Sequence, residues 1–581
     1  MNPANTNVNT IWAYAVIDEL VRNGVNCFCL CPGARSGLLA TAIARHPDAK
    51  AKIHYDERGA AFYALGHARA TGLPAVWVTT SGTAVANGFP AAVEAAQDGI
   101  PLLLLTADRP PELRDTGANQ AILQSNLFAP YQRWHVDMPC PTTDIDLNYV
   151  RSTIDYAFAR TRGPNPGPVH VNMMFREPLS AESDGIDYQP YLDQACSRDE
   201  KLPHTVISAA QLAPSQSDIS YLIERFEHSA TGVLLVGRLS SDAERAAAQT
   251  LAQRLSWPVI ADIGSGVRLS EGLDSLIPYA DQVLLALPDA FNPECIVHIG
   301  GPFVSKRLLQ WLKRIESEYV LIQPHPRRQD VTQRAARVIE SDLSLLVSAL
   351  PESLQMQASP SLEQWHQASR RVKEVVDQHV ERATSLDEIG VAQMVSTCAG
   401  RAAIFAGNSM PIRDLDMYGM CQPDAQPMTA NRGASGIDGT VATACGWAAG
   451  RQQPVIAVLG DLAVLHDLNS LSLMKTLENP LILVVINNDG GGIFSFLSVA
   501  AESDIFEQHF GTPHGFTFEA AADQFHIPYV RPTSPEGFLN LLTEALDANQ
   551  SMLIEVITDR RTNVELHHAL QAEIKRRLAT Q

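Results

Sequence analysis

Short apolar runs, each closed by glycine or a polar turn, recur along the whole chain. CFCLCPG, AVWVTT, LLLLTAD and VHVNM precede residue 175, and GVLLVGR, VIADIG, VLLAL, IVHIGG and YVLIQP follow to about residue 324. AAIFAGNS, VIAVLG, LILVVI and MLIEVITDR form a third set. Continuous apolar runs of this length are the pattern of parallel strands buried on both faces, and the segments between them carry apolar residues at helical spacing. Each set is the size of one doubly wound unit. The pattern predicts an α/β chain of three doubly wound parallel-sheet domains, over residues 1–185, 205–350 and 365–581. Two polar stretches, SAESDGIDYQPYLDQACSRDEKLPH (180–204) and PESLQMQASPSLEQ (351–364), read as linkers, the second leading into a helix over RRVKEVVDQHVERA.

One unit carries candidate chemistry. In GDLAVLHDLNSLSLMKTLENPLILVVINNDGGG (460–492) a Gly-Asp closes one strand pattern and Asn-Asn-Asp-Gly closes the next, with helical spacing between. In a strand–helix–strand unit the carboxyl ends of the two parallel strands lie side by side. Asp461 and the pair Asn487 and Asn488 then emerge at one sheet edge, where open α/β sheets bind ligands. A carboxylate, an amide oxygen and the Gly490 carbonyl of the turn Asp489–Gly491 are hard oxygen donors, the set Mg²⁺ takes together with phosphate oxygens and water. A helix beginning after Gly460 would also point N–H groups at such an anion. The same residues equally describe a solvated turn followed by an Asn-Asp-Gly loop.

Composition narrows the partners. At 581 residues and 45% hydrophobic content the chain can hold several cores. A net charge of −20 argues against broad nucleic-acid or anionic-membrane binding, so an anionic ligand would need local Arg or Lys. No apolar run reaches the roughly 18 residues of a membrane span, and the start MNPANTNVNT lacks the basic and apolar regions of a secretory signal. A cytoplasmic protein with no membrane insertion and no nucleic-acid partner is expected. Of nine cysteines, Cys27, Cys29 and Cys31 have the period of two that puts them on one strand face. They read as buried thiols, since structural zinc sites favour Cys-x-x-Cys.

A Gly-Asp, then 25 residues from Leu462 to Ile486, then Asn-Asn resembles the thiamine-diphosphate motif of the decarboxylase and carboligase superfamily, with Leu462 where glycine is usual. CPGARS, HYDERGAAFYALG, TTSGTAVANGFPAAVEA, ADRPPELRDTGANQAI, GNSMPIRDLD and NRGASGIDGT resemble, in order, segments of its menaquinone-biosynthesis branch, so the likeness covers essentially the whole chain. The resemblance implies a pyrimidine-binding N-terminal domain, a central domain without cofactor contacts and a diphosphate-binding C-terminal domain. It also implies active sites between the subunits of a homodimer or dimer of dimers. The cofactors it implies are thiamine diphosphate and Mg²⁺, for which Mn²⁺ can substitute. The substrates would be 2-oxoglutarate, which is decarboxylated, and isochorismate, to which the succinyl carbanion equivalent adds in a conjugate addition.

Residue roles follow by position. Glu57, after the strand pattern AKIHY, opens a helix with apolar Ala61, Phe62, Leu65 and Ala68. On that segment alone it reads as a helix-start carboxylate favoured by the macrodipole. The resemblance instead makes it the glutamate that shares a proton with the aminopyrimidine, in a dry site with a raised pKa. Ile437 matches the bulky residue that holds the cofactor bent, against the alternative of an ordinary core isoleucine. Asn408, Ser409, Leu462, Gln120 and Ile493 match cofactor-contacting positions, with Asp461, Asn488 and Gly490 as metal ligands. Both substrates carry two carboxylates, so an acidic protein must gather guanidinium groups locally. The candidates are Arg35, Arg109, Lys306, Arg307, Arg413 and Arg432, although a single charged loop residue is more often solvated or structural. Gln120, Phe494 and Leu497 complete the substrate set, and all of these are expected to be partly buried.

The sequence departs from the pattern at Ala34, where serine is usual before Arg35, leaving Ser36 as the available hydroxyl. At Asp489 it places a carboxylate, free to face solvent, beside the metal turn. CPGARSG also lacks the proline that often follows, which alters the stiffness of that loop. Two other readings compete. Another thiamine-diphosphate enzyme, such as an acetohydroxyacid synthase or a 2-oxoacid decarboxylase, would have little use for so many guanidiniums and would usually keep a GDG triplet. A non-catalytic nucleotide-binding or scaffold protein would need neither Glu57 nor Asp461.

Overall fold

The structure, a computed structural model, describes residues 6–195 and 201–579; positions 196–200 of the first linker stretch lie outside the described residues. Three sheets form. The first holds β1 (Cys27–Leu30), β2 (Lys50–Ile53), β3 (Ala75–Thr79), β4 (Leu102–Asp108), β5 (Trp134–Met138) and β6 (Pro168–Met174). The second holds β7 (Gly232–Val236), β8 (Val259–Ala261), β9 (Cys295–Ile299), β10 (Glu318–Gln323) and β11 (Arg337–Glu340). The third holds β12 (Ala403–Ala406), β13 (Met428–Thr429), β14 (Val455–Gly460), β15 (Leu481–Asn487), β16 (Tyr529–Val530) and β17 (Met552–Ile557). All the strand pairings are parallel.

The first sheet runs β2-β1-β3-β4-β6-β5 and the third β13-β12-β14-β15-β17-β16, the same winding used twice. In each, the order reverses beside the opening strand, so a ligand crevice is expected past the ends of β1 and β3, and of β12 and β14. The central sheet runs β11-β10-β9-β7-β8.

Interior strands match the apolar runs, and the differences lie elsewhere. VLLAL belongs to the helix Ala280–Ala286, not a strand. Five consecutive apolar residues satisfy either geometry, and periodicity cannot separate them. The helical segment after β14 is broken into Asp461–His466, a 3₁₀ turn at Leu468–Ser470 and Leu471–Met474. Neither polar stretch is wholly a linker. Tyr188 and Tyr191 are buried in the N-terminal core, where Trp12 Nε1 donates to the Tyr191 hydroxyl at 3.1 Å. Leu354 is buried in the central core, and the following helix begins at Leu362.

By contact density the chain forms two compact units, Met1–Ala210 with Asn431–Gln452 and His466–Glu478, and Gln211–Ala430 with Gln453–Leu465 and Asn479–Gln581. Within the first, the helix Glu57–Thr71 packs on Thr440–Arg451 at a distance only glycine permits. A Cβ at Gly66 would lie 2.1 Å from the Thr443 carbonyl oxygen, and one at Gly446 2.0 Å from that of Tyr63. The described cysteines are free thiols, with Cys27 and Cys29 Sγ 3.8 Å apart on β1, as the period of two requires. Among the described residues no helix is long and apolar enough to cross a membrane.

Candidate functional site

The register pairs Gly460 with Ile486, so β14 and β15 end side by side and deliver Asp461 and Asn487–Asn488 to one edge. Asp461 is 2% exposed, and its carboxylate is held on three sides. Oδ1 accepts from the Leu462 N–H at 2.6 Å, and Oδ2 accepts from the Gly490 N–H at 2.9 Å and from His514 Nε2 at 3.1 Å. Burial raises its pKa against the opposing pull of the Gly490 and His514 bonds. His514 Nδ1 in turn accepts from the Phe516 N–H at 2.9 Å, which leaves the proton on Nε2, facing Asp461.

The two asparagines have different jobs. The Asn487 amide donates to the Phe516 carbonyl at 2.9 Å and to Glu555 Oε1 at 2.6 Å, tying β15 to β17 and the following loop. Asn488 donates Nδ2 to Glu388 Oε1 at 2.9 Å, while its Oδ1 is buried without a hydrogen-bond partner. A buried amide oxygen left unpaired is costly unless a ligand completes it. Gly490 has φ +130°, and a Cβ there would lie 1.9 Å from the Gly511 carbonyl oxygen, so the turn requires glycine. Its carbonyl accepts the Gly492 N–H at 2.9 Å and keeps a second lone pair. A carboxylate, an unpaired amide oxygen and a turn carbonyl at one edge fit a hard divalent cation.

Asp489 does more than face solvent. At φ +61° its Oδ1 accepts the His514 and Gly515 N–H groups at 2.8 and 2.7 Å, holding the loop that brings His514 to Asp461. The Gly515 bond leads in lowering its pKa. Past β12, Asn408 is buried and Ser409 sits at φ +74°, ψ −126°, a conformation strained for a non-glycine residue, at the start of the helix Met410–Tyr418. Arg413, on that helix, donates to the Ser409 carbonyl and is half-buried. Leu462 is half-buried. So are Ile493 and Phe494, in the 3₁₀ turn Gly492–Phe496, but Leu497 is 47% exposed. Leu497 is the junction between that turn and the 3₁₀ turn Ser498–Ala501. Arg307 pairs with Asp281 at 2.5 Å and lies 3.5 Å from the Met417 sulfur, while Lys306 is exposed.

The other unit holds a second group. Asp56 caps the helix Glu57–Thr71, accepting the Arg58 and Gly59 N–H groups at 3.0 and 3.3 Å. The capping role thus falls to Asp56 and leaves Glu57 free of it. Glu57 accepts one bond, from the Asn87 amide at 3.3 Å, and lines a cavity of about 420 Å³ with Tyr55, Arg58 and Asn469. It is half-buried, so the dry surroundings expected for it are not supplied here. Ile437 is 37% exposed and is not a core isoleucine. The half-buried Arg432 lies on the loop that Glu94 anchors by accepting the Gly433 and Ala434 N–H groups at 2.8 and 2.6 Å.

Arg35 and Arg109 follow β1 and β4 and are both buried. Arg35 donates to the Phe175 carbonyl at 2.9 Å, and Arg109 donates to the Ser81 hydroxyl and to Gln120 Oε1 at 3.4 Å. Burial, and then the Arg35 charge, lower the Arg109 pKa. Gln120, at φ +55° in the loop beyond them, is exposed and not partly buried as expected, because that loop carries it out past the strand ends. Ser36 donates its hydroxyl to the Gly33 carbonyl at 3.1 Å, so it does not present the hydroxyl missing at Ala34.

Glu388 and His514 carried no sequence signal strong enough to single them out. His514 lies in GTPHG, a turn composition, and Glu388 reads as an ordinary first-turn helix acid.

Family profiles described as the N-terminal thiamine pyrophosphate (TPP) binding domain, the middle domain and the C-terminal TPP binding domain of thiamine pyrophosphate enzymes match residues 12–127, 199–405 and 416–556. A 2-succinyl-5-enolpyruvyl-6-hydroxy-3-cyclohexene-1-carboxylate synthase of Rubrobacter xylanophilus is 44% identical over 98% of this chain and 99% of its own length. Proteins of the same name from Salinibacter ruber and Chlorobium limicola are 43% and 39% identical, each over 98% of this chain and 97% and 98% of their own. With full-length identity at this level, on a fold that repeats the doubly wound unit three times, the chain belongs to the 2-succinyl-5-enolpyruvyl-6-hydroxy-3-cyclohexene-1-carboxylate synthase family of thiamine pyrophosphate enzymes.

Proposed function

We propose that this protein decarboxylates 2-oxoglutarate and joins the succinyl carbanion equivalent to isochorismate by conjugate addition, in menaquinone biosynthesis, using thiamine diphosphate and Mg²⁺, with Mn²⁺ able to substitute. The observation that carries the cofactor assignment is the edge formed by Asp461, the unpaired Asn488 Oδ1 and the Gly490 carbonyl. Full-length identity to relatives bearing the synthase name supports the substrates.

Bound there, thiamine diphosphate supplies an electron sink for the carbon left by loss of CO₂. In this reading Asp461, Asn488 and Gly490 hold the cation, and Asn408, Ser409, Leu462 and Ile493 line the cofactor. Ile437 would hold it bent, and Gln120 would contact cofactor and substrate. Glu57 holds a proton on its carboxylate for exchange with the aminopyrimidine. Arg413 and Arg432 orient the anionic substrates, with Arg35, Arg109, Lys306 and Arg307 toward the acceptor and Phe494 and Leu497 as apolar wall. Fixed cations are suited to the charge that develops on the acceptor carboxylate. The half-buried state of Glu57 favours a homodimer, or a dimer of dimers, in which a second copy covers it. The domains would run 1–185, 205–350 and 365–581, and the free buried thiols suit the cytoplasm.

The test offers 2-oxoglutarate and pyruvate in parallel and follows CO₂ release. Faster turnover of 2-oxoglutarate is expected. Faster turnover of pyruvate would move the protein to the acetohydroxyacid synthase class.

A further inference from the structure

We infer that Glu388 is the residue that makes Asn488 an oxygen ligand. An asparagine amide is two-ended, with a donor NH₂ and an acceptor oxygen of nearly equal size, and only its surroundings decide which end faces a ligand. Glu388 opens the helix Glu388–Thr397 and is buried. Oε1 of Glu388 accepts from the NH₂ end of Asn488, at 2.9 Å. That choice turns Oδ1 away, into the buried position where it has no partner.

The orienting carboxylate is itself fixed. Thr558, just past β17, donates its hydroxyl to the same Oε1 at 3.0 Å, and its N–H donates to the Asn487 carbonyl at 3.0 Å. Glu388 thus holds the Asn488 amide and Thr558 holds Glu388, a relay of the kind that orients metal ligands. Glu388 is a positioning residue: it touches the ligand and never the reacting atoms.

The inference rests on the metal reading above, and the experiment separates the two. Thiamine diphosphate is titrated by calorimetry into wild type, Glu388→Leu and Glu388→Gln at pH 8 with MgCl₂ and with EDTA. Glu388→Leu should weaken Mg²⁺-dependent binding about 10- to 100-fold, the usual cost of losing an outer-shell partner. Glu388→Gln, which keeps an acceptor oxygen, should recover most of it.

A swapped pair tests orientation apart from folding. Asn488→Asp has no NH₂ to give and faces Glu388 as a like charge, whereas Glu388→Gln in that background offers an NH₂ to the new carboxylate. The double variant should bind at least about tenfold more tightly than Asn488→Asp alone, a gain that general loosening of the site cannot produce. Equal binding by these two, or a further loss in the double variant, overturns the role of Glu388 even where Glu388→Leu fails to fold. Absence of Mg²⁺-dependent binding in wild type would instead overturn the metal reading.

Discussion

The edge at Asp461 and the helix start at Glu57 are both sheet-edge carboxylates, yet the chain treats them differently. Asp461 is almost inaccessible and takes three hydrogen bonds, from Leu462, Gly490 and His514. Glu57 is half-buried beside an open cavity, with one long bond from Asn87. The first is preorganised within a single chain, which suits the proposed role of holding a cation. The second is not, and in the proposed homodimer a second copy would complete its surroundings. Cation binding and proton exchange should therefore be separable by mutation.

The largest effect is expected at the preorganised edge. Asp461→Ala or Asn488→Ala should abolish Mg²⁺-dependent thiamine diphosphate binding by calorimetry, a loss beyond the roughly 10- to 100-fold that outer-shell partners cost. Binding as tight as wild type by either variant would remove that residue from the cation site. Glu57→Gln should leave binding intact yet slow exchange of the cofactor C2 proton about 10²- to 10⁴-fold, measured by NMR after acid quench. Unchanged exchange would erase the functional contrast between the two carboxylates.

A smaller effect belongs to the guanidiniums. Arg413→Ala and Arg432→Ala should cost about 2 to 5 kcal/mol in kcat/KM for 2-oxoglutarate and isochorismate while sparing cofactor binding, as deletion of one partner of a charged contact does. Cofactor binding lost together with turnover would make these arginines structural.

The smallest effect is on stability. Buried Asp467 accepts the Ala442 N–H at 2.9 Å and the Ser470 hydroxyl at 2.8 Å, and burial pushes its pKa up to about 6 from 3.8. Its contribution is fully present below pH 3.8 and is lost as pH rises through 6, because the fold disfavours the charged form. Asp467→Asn removes that loss. Relative to wild type, the variant should gain on the order of 2 to 3 kcal/mol between pH 4 and pH 7, read from denaturant unfolding. A difference independent of pH would show that Asp467 pays no ionisation penalty.

Interior strands were legible because burial on both faces leaves a continuous apolar signature, as LILVVI in β15 does. β5, β11, β13 and β16 were not anticipated, and each is an edge strand with a neighbour on one side only. The Asp461 and Asn488 positions were legible from spacing, since a strand–helix–strand unit fixes which ends meet. Their supports were not. Glu388 lies 100 positions from Asn488, and Glu94 lies 339 from Gly433. Such pairs are created by the fold and leave no local pattern. The Gly66–Thr443 and Gly446–Tyr63 approaches are of the same kind.

The most direct test of the function is product identity. With thiamine diphosphate, Mg²⁺ and 2-oxoglutarate, mass spectrometry before and after addition of isochorismate should detect a released product with the mass of isochorismate plus 2-oxoglutarate less CO₂ only when isochorismate is present, and EDTA should abolish it. Decarboxylation of 2-oxoglutarate that yields no such product with isochorismate present, or a product that persists after the metal is removed, would contradict the proposed reaction.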